Sequence, residues 1–398
     1  MENSEKNTTK ENGLQPSLIT IDETSSINPL VIDDIKREEL LLAILALDSI
    51  KGLGFKAIST LFDNNLIFDF IENPKNFLFK KPYERFNNIL IELINSNQMG
   101  KNVFLNLAKE KEQDLLKKNI EFIPIGHASY PKSLMRLKKP PNWIFVRGDQ
   151  DLLHSQSIVA VIGTRNSTID GERLAYFCSS LLAKKNIIVL SGLAKGIDEK
   201  AHEGAIDNFG ATIAVLGYGI DNRESISNKK LVENIINTGG TIISEYLPDD
   251  PATSSSYLRR NELQVAFSKL VIPVECPSLE SGTGATIRRA FKISTPVIGV
   301  ITNTSQINER NLVSTRLNLE KMNIQFFSLF NSHQDTFYEF LRNLIPNHDW
   351  GNSNIARQDR FIKKLKNEIA NSQKRIELDD IAIDRLAFEL KKLIHKHS

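Results

Sequence analysis

Three short apolar runs, separated by two segments of helical length, occupy the middle of the sequence. The runs cover residues 158–162, 187–190 and 211–216, and each is followed by Gly or Ser-Gly. Residues 171–184 and 198–209 lie between the runs. Continuous Val- and Ile-rich runs that alternate with helices are typical of parallel strands buried on both faces. The stretch therefore predicts a β-α-β-α-β unit of an α/β fold.

The loops after these runs contain small residues, hydroxyl groups and two cations. In parallel sheets, ligands bind beyond the carboxyl ends of the strands, where loops lead into helices. Glycine lets a ligand approach the backbone, amide groups at a helix N-terminus attract anions, and a cation completes a phosphate site. The sequence therefore predicts a phosphate-binding edge made of Gly163, Thr164, Arg165, Ser191, Gly192, Lys195, Gly196 and Gly217.

The same alternation continues along the chain. It predicts strands at residues 241–244, 270–275 and 296–301 and helices at residues 229–237, 257–267 and 287–292. Residues 281–286 have the sequence Ser-Gly-Thr-Gly-Ala-Thr and predict a turn that adds amides and hydroxyls to the same edge. The first strand is not followed by the dinucleotide fingerprint G-x-G-x-x-G, and the sequence contains no P-loop.

The flanking segments predict three further parts of the chain. Residues 1–34 are polar and predict a disordered leader, because such a composition buries too little apolar surface to offset ordering entropy. Residues 35–120 predict a helical domain, in which residues 40–57 have the pattern helix, Gly-containing turn, helix. Packing is the preferred interpretation of this hairpin, and DNA contact is the alternative. Residues 121–345 hold the sheet, and residues 346–398 predict an amphipathic helical tail that packs or pairs with another chain.

Composition limits the possible classes of protein. The chain has 398 residues and a formal net charge of +2, which says little about its partners. Cys178 and Cys276 fall in apolar elements and predict buried thiols rather than a disulfide or a zinc site. No apolar run reaches the roughly 18 residues of a membrane span, and the N-terminus is polar. We expect a cytoplasmic protein without a cofactor, a metal or a membrane partner.

Several separated motifs agree in order and spacing with one known family. The chain resembles the DNA-processing protein family DprA, also called Smf, over roughly residues 35–300. The matching segments are Tyr130-Pro131, Pro140-Pro141, Gly163-Thr164-Arg165, Ser191-Gly192-Leu193-Ala194-Lys195-Gly196-Ile197-Asp198 with Ala201-His202, Gly217-Tyr218-Gly219-Ile220-Asp221, Ser244-Glu245 and Arg260-Asn261.

The resemblance implies an extended Rossmann-like, mostly parallel sheet behind an N-terminal helical domain of the helix-hairpin-helix or SAM-like type. It implies a non-catalytic protein that binds single-stranded DNA, protects it and passes it to a RecA-type recombinase in natural transformation. Because few phosphates are neutralised by each subunit, tight binding would require a homodimer or a higher oligomer. Besides the edge residues above, the expected contacts to the DNA backbone are Arg260, Asn261, Ser281, Gly282 and Thr283.

Several residues depart from the family pattern. Glu262 stands where the family usually has a second Arg, and residues 281–287 differ from the family's Ser-Gly-(Ser/Thr)-(Leu/Met)-Ile-Thr-Ala turn. Residues 298–300 are Ile-Gly-Val in place of Val-Pro-Gly, and residues 222–228 replace a Tyr-Pro. All these changes are predicted to lie on the ligand edge. An altered ligand is therefore an open alternative.

Two other functions stay open at this point. A nucleotide-ligand sensor or nucleotide-sugar hydrolase would use the same edge, and the hydrolase would need a carboxylate such as Glu245 or Glu275 at the glycosidic carbon. An interaction module of an anti-phage or mobile-element system would use the C-terminal tail. His202 is a lone titratable group without a nucleophile or metal constellation, so we interpret it as structural.

Overall fold

A computed structural model describes residues 19–21, 31–50, 52–72, 77–79, 87, 101–222, 228–301, 310–329 and 334–350. The chain divides into two units. The first unit comprises Met1–Leu30 with Asp34–Asp114, and the second comprises Val31–Asp33 with Leu115–Ser398. The four-part division predicted from the sequence stays a prediction.

The first unit contains a short parallel strand pair and several helices. Strand β1 (Ile19–Ile21) pairs with β2 (Phe77–Phe79). Strand β1 lies in the predicted leader and β2 in the predicted helical domain, so both strands differ from the predictions for those residues. The helices are α1 (Asp34–Asp48), α2 (Phe55–Asp63), α3 (Ile67–Glu72) and α4 (Lys101–Lys117), whose last three residues belong to the second unit.

The predicted helix, turn, helix pattern is confirmed in α1 and α2. Gly52, in the turn between them, has a φ of 93°, a conformation that glycine adopts without steric cost. Ile44 and Leu47 of α1 and Ile58 of α2 are buried, so packing explains why apolar residues recur at helical spacing here. Lys51 in the same turn lies outside the described residues. Contact between this hairpin and DNA stays a prediction.

The second unit is built on a seven-stranded sheet with the order β3-β4-β8-β7-β6-β5-β9. Strands β8, β7, β6, β5 and β9 are parallel, whereas β4 is antiparallel to β8 and β3 is antiparallel to β4. This confirms the predicted α/β fold with a mostly parallel sheet. The strands are β3 (Ile120–Pro124), β4 (Trp143–Gly148), β5 (Ile158–Gly163), β6 (Ile188–Ser191), β7 (Thr212–Val215), β8 (Thr241–Ser244) and β9 (Leu270–Glu275).

Helices cover the sheet and connect its parallel strands. One apolar cluster joins α5 and α6 to β5, β6 and β9, and another joins α7 to β7 and β8. Continuous apolar strands are thus buried by the helices of the crossovers, as expected for parallel sheets. The helices are α5 (Ile169–Lys184), α6 (Ile197–Asp207), α7 (Lys229–Asn237), α8 (Ser254–Phe267), α9 (Gly282–Lys292), α10 (Arg310–Glu320) and α11 (Gln334–Leu344).

Three predictions about this unit were wrong in detail. Helix α8 starts at Ser254 instead of residue 257, because Thr253 and Ser256 form a reciprocal capping box. Residues 282–286, predicted as part of a turn, form the start of α9. The predicted strand at residues 296–301 is only β10 (Gly299–Ile301), which pairs with β11 (Phe326–Ser328), while Val297 forms an isolated parallel bridge to Val271 of β9. Most of the predicted tail, from residue 351 onward, lies outside the described residues.

Helices α5 and α6 pack closely at Gly204. A Cβ atom at this position would overlap the backbone carbonyl of Tyr176 on the facing helix. We expect Gly204→Ala to lower the free energy of unfolding by about 1–3 kcal/mol, because the two backbones must separate. Chemical denaturation of the variant measures this difference. Gly282→Ala is the matched control, since a Cβ at Gly282 meets no atom within 4 Å; equal losses in both variants would contradict the close packing.

Candidate phosphate-binding site

Two adjoining cavities lie at the carboxyl edge of the parallel strands. The first has a volume of about 350 Å³ and lies between the loop after β5, helix α8 and the start of α9. The second has a volume of about 420 Å³ and lies between the loops after β5, β6 and β7. Both are lined by Arg165, Asn166, Ala194 and Tyr257, so they form one continuous surface.

Most of the predicted site residues line one of these cavities. Arg165 lines both. Gly192 and Lys195 line the second cavity. Ser191, Gly196 and Gly217 line neither cavity. The first cavity contains the largest group, which is Gly163, Thr164, Arg260, Asn261, Ser281, Gly282 and Thr283.

Arg165 and Lys195 are the exposed cations of the second cavity. Among the described residues, no carboxylate forms a salt bridge with either side chain, and no carboxylate lines this cavity. The guanidinium of Arg165 lies 4.2 Å from the ring centroid of Tyr257, an arrangement that holds the cation by its face and leaves its N–H groups available. The Tyr257 ring rests on Gly217, where a Cβ atom would lie 2.8 Å from the ring.

The glycines of the edge bring loops and side chains close together. Gly196 has a φ of 81° and turns the chain from Lys195 into α6. Gly192 leaves room for the guanidinium of Arg260, which a Cβ atom at that position would displace. These close approaches explain why small residues follow the strands.

Arg260 was predicted as a phosphate contact, and its side chain is buried. The residue is 5% exposed, and its Nη1 donates to the carbonyl oxygen of Val215 at 3.1 Å. The same nitrogen lies 3.8 Å from the carboxylate of Asp198. Burial lowers the pKa of Arg260, and the neighbouring Asp198 carboxylate opposes that shift. Because protein groups hold the guanidinium from one side, its contact with a phosphate stays a prediction.

Asp198 is a site residue that the sequence predictions missed. Burial raises the pKa of its carboxyl, while Arg260 and the hydroxyl and amide donors around it lower that pKa. The amides are those of Ala194 and Gly163, and the Ser191 hydroxyl lies beside the same carboxylate. Asp198 therefore ties together the loops after β5 and β6. Its place in the Gly-Ile-Asp run, at the first turn of a helix, was the signal in the sequence.

Ser191 uses its hydroxyl within the protein, and its contact with a phosphate stays a prediction. The side chain is fully buried, and its Oγ donates to the carbonyl oxygen of Val161 at 2.6 Å. This bond links β6 to the neighbouring β5. The residue stabilises the sheet beneath the second cavity.

Ser281 also uses its hydroxyl within the protein. It is the N-cap of α9, and its Oγ accepts from the amide of Gly284 at 3.2 Å and donates to the carbonyl of Ser278. Gly282 and Thr283 form the first turn of this helix and line the first cavity. The N-terminal end of an eleven-residue helix thus opens into the cavity, which favours an anion there.

Glu262 lines neither cavity. Its carboxylate accepts from Nη1 of Arg259 at 2.8 Å and from Nε of Arg289 at 3.1 Å. Arg259 also donates to both oxygens of the buried Glu245 at 3.1 Å. The acid that replaces the second Arg of the family pattern is therefore a shared acceptor between α8 and α9. It does not add negative charge to either cavity wall.

The carboxylates required for a hydrolase are engaged elsewhere. Glu245 is held by Arg259, and the fully buried Glu275 accepts from the backbone amide of Thr168 at 3.1 Å. Neither carboxylate lines the two cavities. Within the described ranges, no group of three or more His, Cys, Asp or Glu side chains is placed to hold a metal ion. Among the same residues, no helix has the length and apolar character that a membrane span requires.

The sequence and the fold are similar to those of several known proteins. The family model of DNA recombination-mediator protein A matches residues 121–317. The protein Smf of Borreliella burgdorferi is 32% identical over 244 residues, which are 61% of this chain and 73% of that protein. The protein Smf of Escherichia coli is 34% identical over 174 residues, which are 44% of this chain and 46% of that protein. The chain thus spans about half the length of this second relative.

Among solved structures, the X-ray structure of DNA processing protein A (DprA) from Streptococcus pneumoniae has a TM-score of 0.50 and 22% identity, covering 78% of this chain and 99% of that one. This likeness concerns the fold and confirms a Rossmann-like α/β protein. The family model and the Borreliella relative support a narrower statement. The chain belongs to the DNA recombination-mediator protein A family, whose members here carry the names DprA and Smf.

His202 is a buried structural side chain rather than a base. Its Nδ1 lies 2.7 Å from the hydroxyl of Thr212, and burial lowers its pKa to about 3. Below a pH of about 6.5 the unfolded state binds a proton that the folded state does not. The free energy of unfolding therefore falls by up to about 1.4 kcal/mol for each unit by which the pH is lowered. We expect His202→Gln to reduce this slope between pH 6.5 and the lowered pKa. Urea unfolding at several pH values measures it, and identical slopes would exclude a buried neutral imidazole.

The shared role of Glu262 gives a second test. Glu262→Arg restores the residue that the family pattern has, but it places a third cation beside Arg259 and Arg289. We expect the free energy of unfolding to fall by about 1–2 kcal/mol, because two partly exposed ion pairs become repulsions. Glu262→Gln is the control and should lose less, since its amide oxygen still accepts. An Arg variant as stable as the wild-type protein would show that the ion pairs contribute nothing.

Proposed function

We propose that this protein binds single-stranded DNA along the second cavity, with Arg165 and Lys195 neutralising backbone phosphates. The single observation that carries the proposal is the charge of that cavity, which has two unpaired cations and no carboxylate among its described lining residues. Contacts to phosphate position a strand without reading its sequence. The names of the relatives, DNA processing proteins, are consistent with this use.

The exposed guanidinium of Arg165 favours a single strand over a duplex. It lies over the Tyr257 ring where the two cavities meet, and an unpaired base can stack on its outer face whereas a paired base cannot. Thr164 would contact the backbone through its hydroxyl, whereas Gly163 and Gly192 leave room for the side chains of Ile197 and Arg260. Asn261, Gly282 and Thr283 would extend the contact into the first cavity.

The finer parts of the proposal follow from family membership. We infer that the bound strand is protected and that it is passed to a RecA-type recombinase during natural transformation. We also infer that the protein is a homodimer or a higher oligomer, because the few phosphate contacts of one subunit would bind DNA weakly and several linked subunits would bind it tightly. The protein would do this without catalysing a reaction. A cytoplasmic location and the lack of a membrane partner remain predictions.

Binding to labelled oligo-dT, followed by fluorescence anisotropy over a salt series, tests the proposal. We expect the single strand to bind more tightly than its duplex and to weaken as salt rises. Lys195→Ala and Arg165→Ala should each weaken binding and lower the magnitude of the slope of log K against log salt by about 0.7.

Lys184→Ala is the matched control for this experiment. Lys184 is the exposed last residue of α5 and lines neither cavity, and the variant removes the same charge. If Lys184→Ala weakens binding as much as Lys195→Ala, the effect is one of net charge and the cavity is not the site. If neither DNA form binds the wild-type protein, the proposed function is wrong.

A further inference from the structure

Glu275 is a fully buried acid that lines neither cavity. It is the last residue of β9, and it lies opposite Gly163, the last residue of the neighbouring β5. Its carboxylate accepts from the backbone amide of Thr168 at 3.1 Å and from the hydroxyl of the same residue. A buried carboxylate is costly unless it is hydrogen-bonded, and these bonds make its burial tolerable. They hold the end of the loop of residues 163–168, the Arg165 loop, which leads from β5 into α5.

The start of α5 is built around this carboxylate. Thr168 is the N-cap of the helix, and its Oγ1 accepts from the amide of Gly171 at 3.0 Å while it donates to Glu275. A Cβ atom at Gly171 would lie 2.3 Å from Oε1 of Glu275, so glycine leaves the carboxylate the room it needs. A negative charge at a helix N-terminus is also favourable. The first turn of α5 and the side chain of Glu275 are therefore fixed together.

Two buried carboxylates hold opposite ends of the Arg165 loop. Asp198 accepts from the backbone amide of Gly163 at the beginning of the loop. Glu275 accepts from the amide of Thr168 at its end. Arg165 lies between these two anchors and lines both cavities. A loop that is held at both ends loses little conformational entropy when a ligand binds, and this favours binding.

The Arg165 loop also packs against the segment that carries Lys195. Gly196 follows Lys195 and has a φ of 81°. A Cβ atom at Gly196 would lie 3.1 Å from the carbonyl oxygens of Thr164 and Arg165. The two cations of the second cavity therefore stand on backbone segments that lie in close contact. A displacement of the Arg165 loop would change the distance between Arg165 and Lys195.

We propose that Glu275 is a positioning residue for the DNA-binding surface and acts on Arg165 through Thr168. Its carboxylate holds the end of the Arg165 loop, and the loop keeps the guanidinium of Arg165 over Tyr257 and at a set distance from Lys195. Glu275 itself contacts no DNA. This inference rests on the proposed function, because it concerns the same surface and the same cations.

Binding of oligo-dT by Glu275→Gln, followed by fluorescence anisotropy, tests this role. We expect binding to weaken about five- to tenfold, because the carboxamide has one acceptor oxygen and its N–H groups face the donors of Thr168. Removing a negative charge would by itself strengthen binding to DNA, so the expected change is opposite in sign to a charge effect. Glu262→Gln is the matched control, since it removes one negative charge outside the Arg165 loop and should bind at least as tightly as the wild-type protein.

A double-mutant cycle separates positioning from a general loss of structure. In an Arg165→Ala background, Glu275→Gln should change binding by less than about twofold, because the group that it positions is gone. A merely structural role predicts the same loss in both backgrounds. Thr168→Val removes the hydroxyl donor and should weaken binding as Glu275→Gln does, and it provides the same test if Glu275→Gln does not fold. Thr168→Ser keeps the hydroxyl and should bind within about twofold of the wild-type protein.

Hydrogen–deuterium exchange, measured by mass spectrometry, reports on the Arg165 loop without DNA. The fragment that contains the Thr168 amide should exchange about tenfold faster in Glu275→Gln than in the wild-type protein, because the amide loses its acceptor. Fragments from β4, at the far side of the sheet, should exchange at the same rate in both proteins.

Three results would overturn the inference alone while the wild-type protein binds oligo-dT. These are equally tight binding by Glu275→Gln, an equal loss in the Arg165→Ala background, and unchanged exchange at Thr168. If the wild-type protein binds neither DNA form, the proposed function is wrong and the positioning role fails with it. The exchange experiment then still shows whether Glu275 holds the loop, so the two failures are distinguishable.

Discussion

The buried contact between Asp198 and Arg260 organises the carboxyl edge of the sheet. Asp198 stands at the first turn of α6 and accepts from donors in the loops after β5 and β6. Arg260 comes from α8, donates to the end of β7 at Val215, and packs against Gly192. Two charges removed from water gain little net stability by themselves. They do fix the positions of these loops relative to α8, because each buried charge would be left without a partner if either loop moved.

This contact determines which cations remain available at the edge. Arg260 is directed inward, whereas Arg165 and Lys195 are exposed beside it. The second cavity therefore has exposed positive charge. The first cavity has Arg165 at its edge, the buried side chains of Asp198, Arg260 and Gln264 in its wall, and the first turn of α9. The same edge thus provides two surfaces with different chemistry, separated by Arg165 and Tyr257.

Local patterns in the sequence were sufficient for the sheet and insufficient for the site. The strands at residues 241–244 and 270–275 were predicted at their observed bounds, because a buried parallel strand is a continuous apolar run. The start of α9 was missed, because Gly-Thr-Gly has low helix propensity and only the Ser281 cap indicates a helix there. The burial of Arg260 depends on Asp198, 62 positions earlier, and the role of Glu262 depends on Arg289, 27 positions later. Such long-range pairs leave no periodic signal.

The departures from the family pattern were all predicted to lie on the ligand edge. In the structure, some of the described ones line a cavity and Glu262 lines neither. Glu262 is the one change of charge that was singled out, and it faces Arg259 and Arg289 instead of a cavity. Asn222 and Asn228, at the ends of the replaced loop, line the second cavity and donate to backbone carbonyls. Both are neutral, so among the described lining residues the charge of that cavity still comes from Arg165 and Lys195. The altered turn at Gly282 and Thr283 instead forms part of the first cavity, at the start of α9. Among the described residues, the departures from the family pattern therefore change the lining of the first cavity more than the charge of the second.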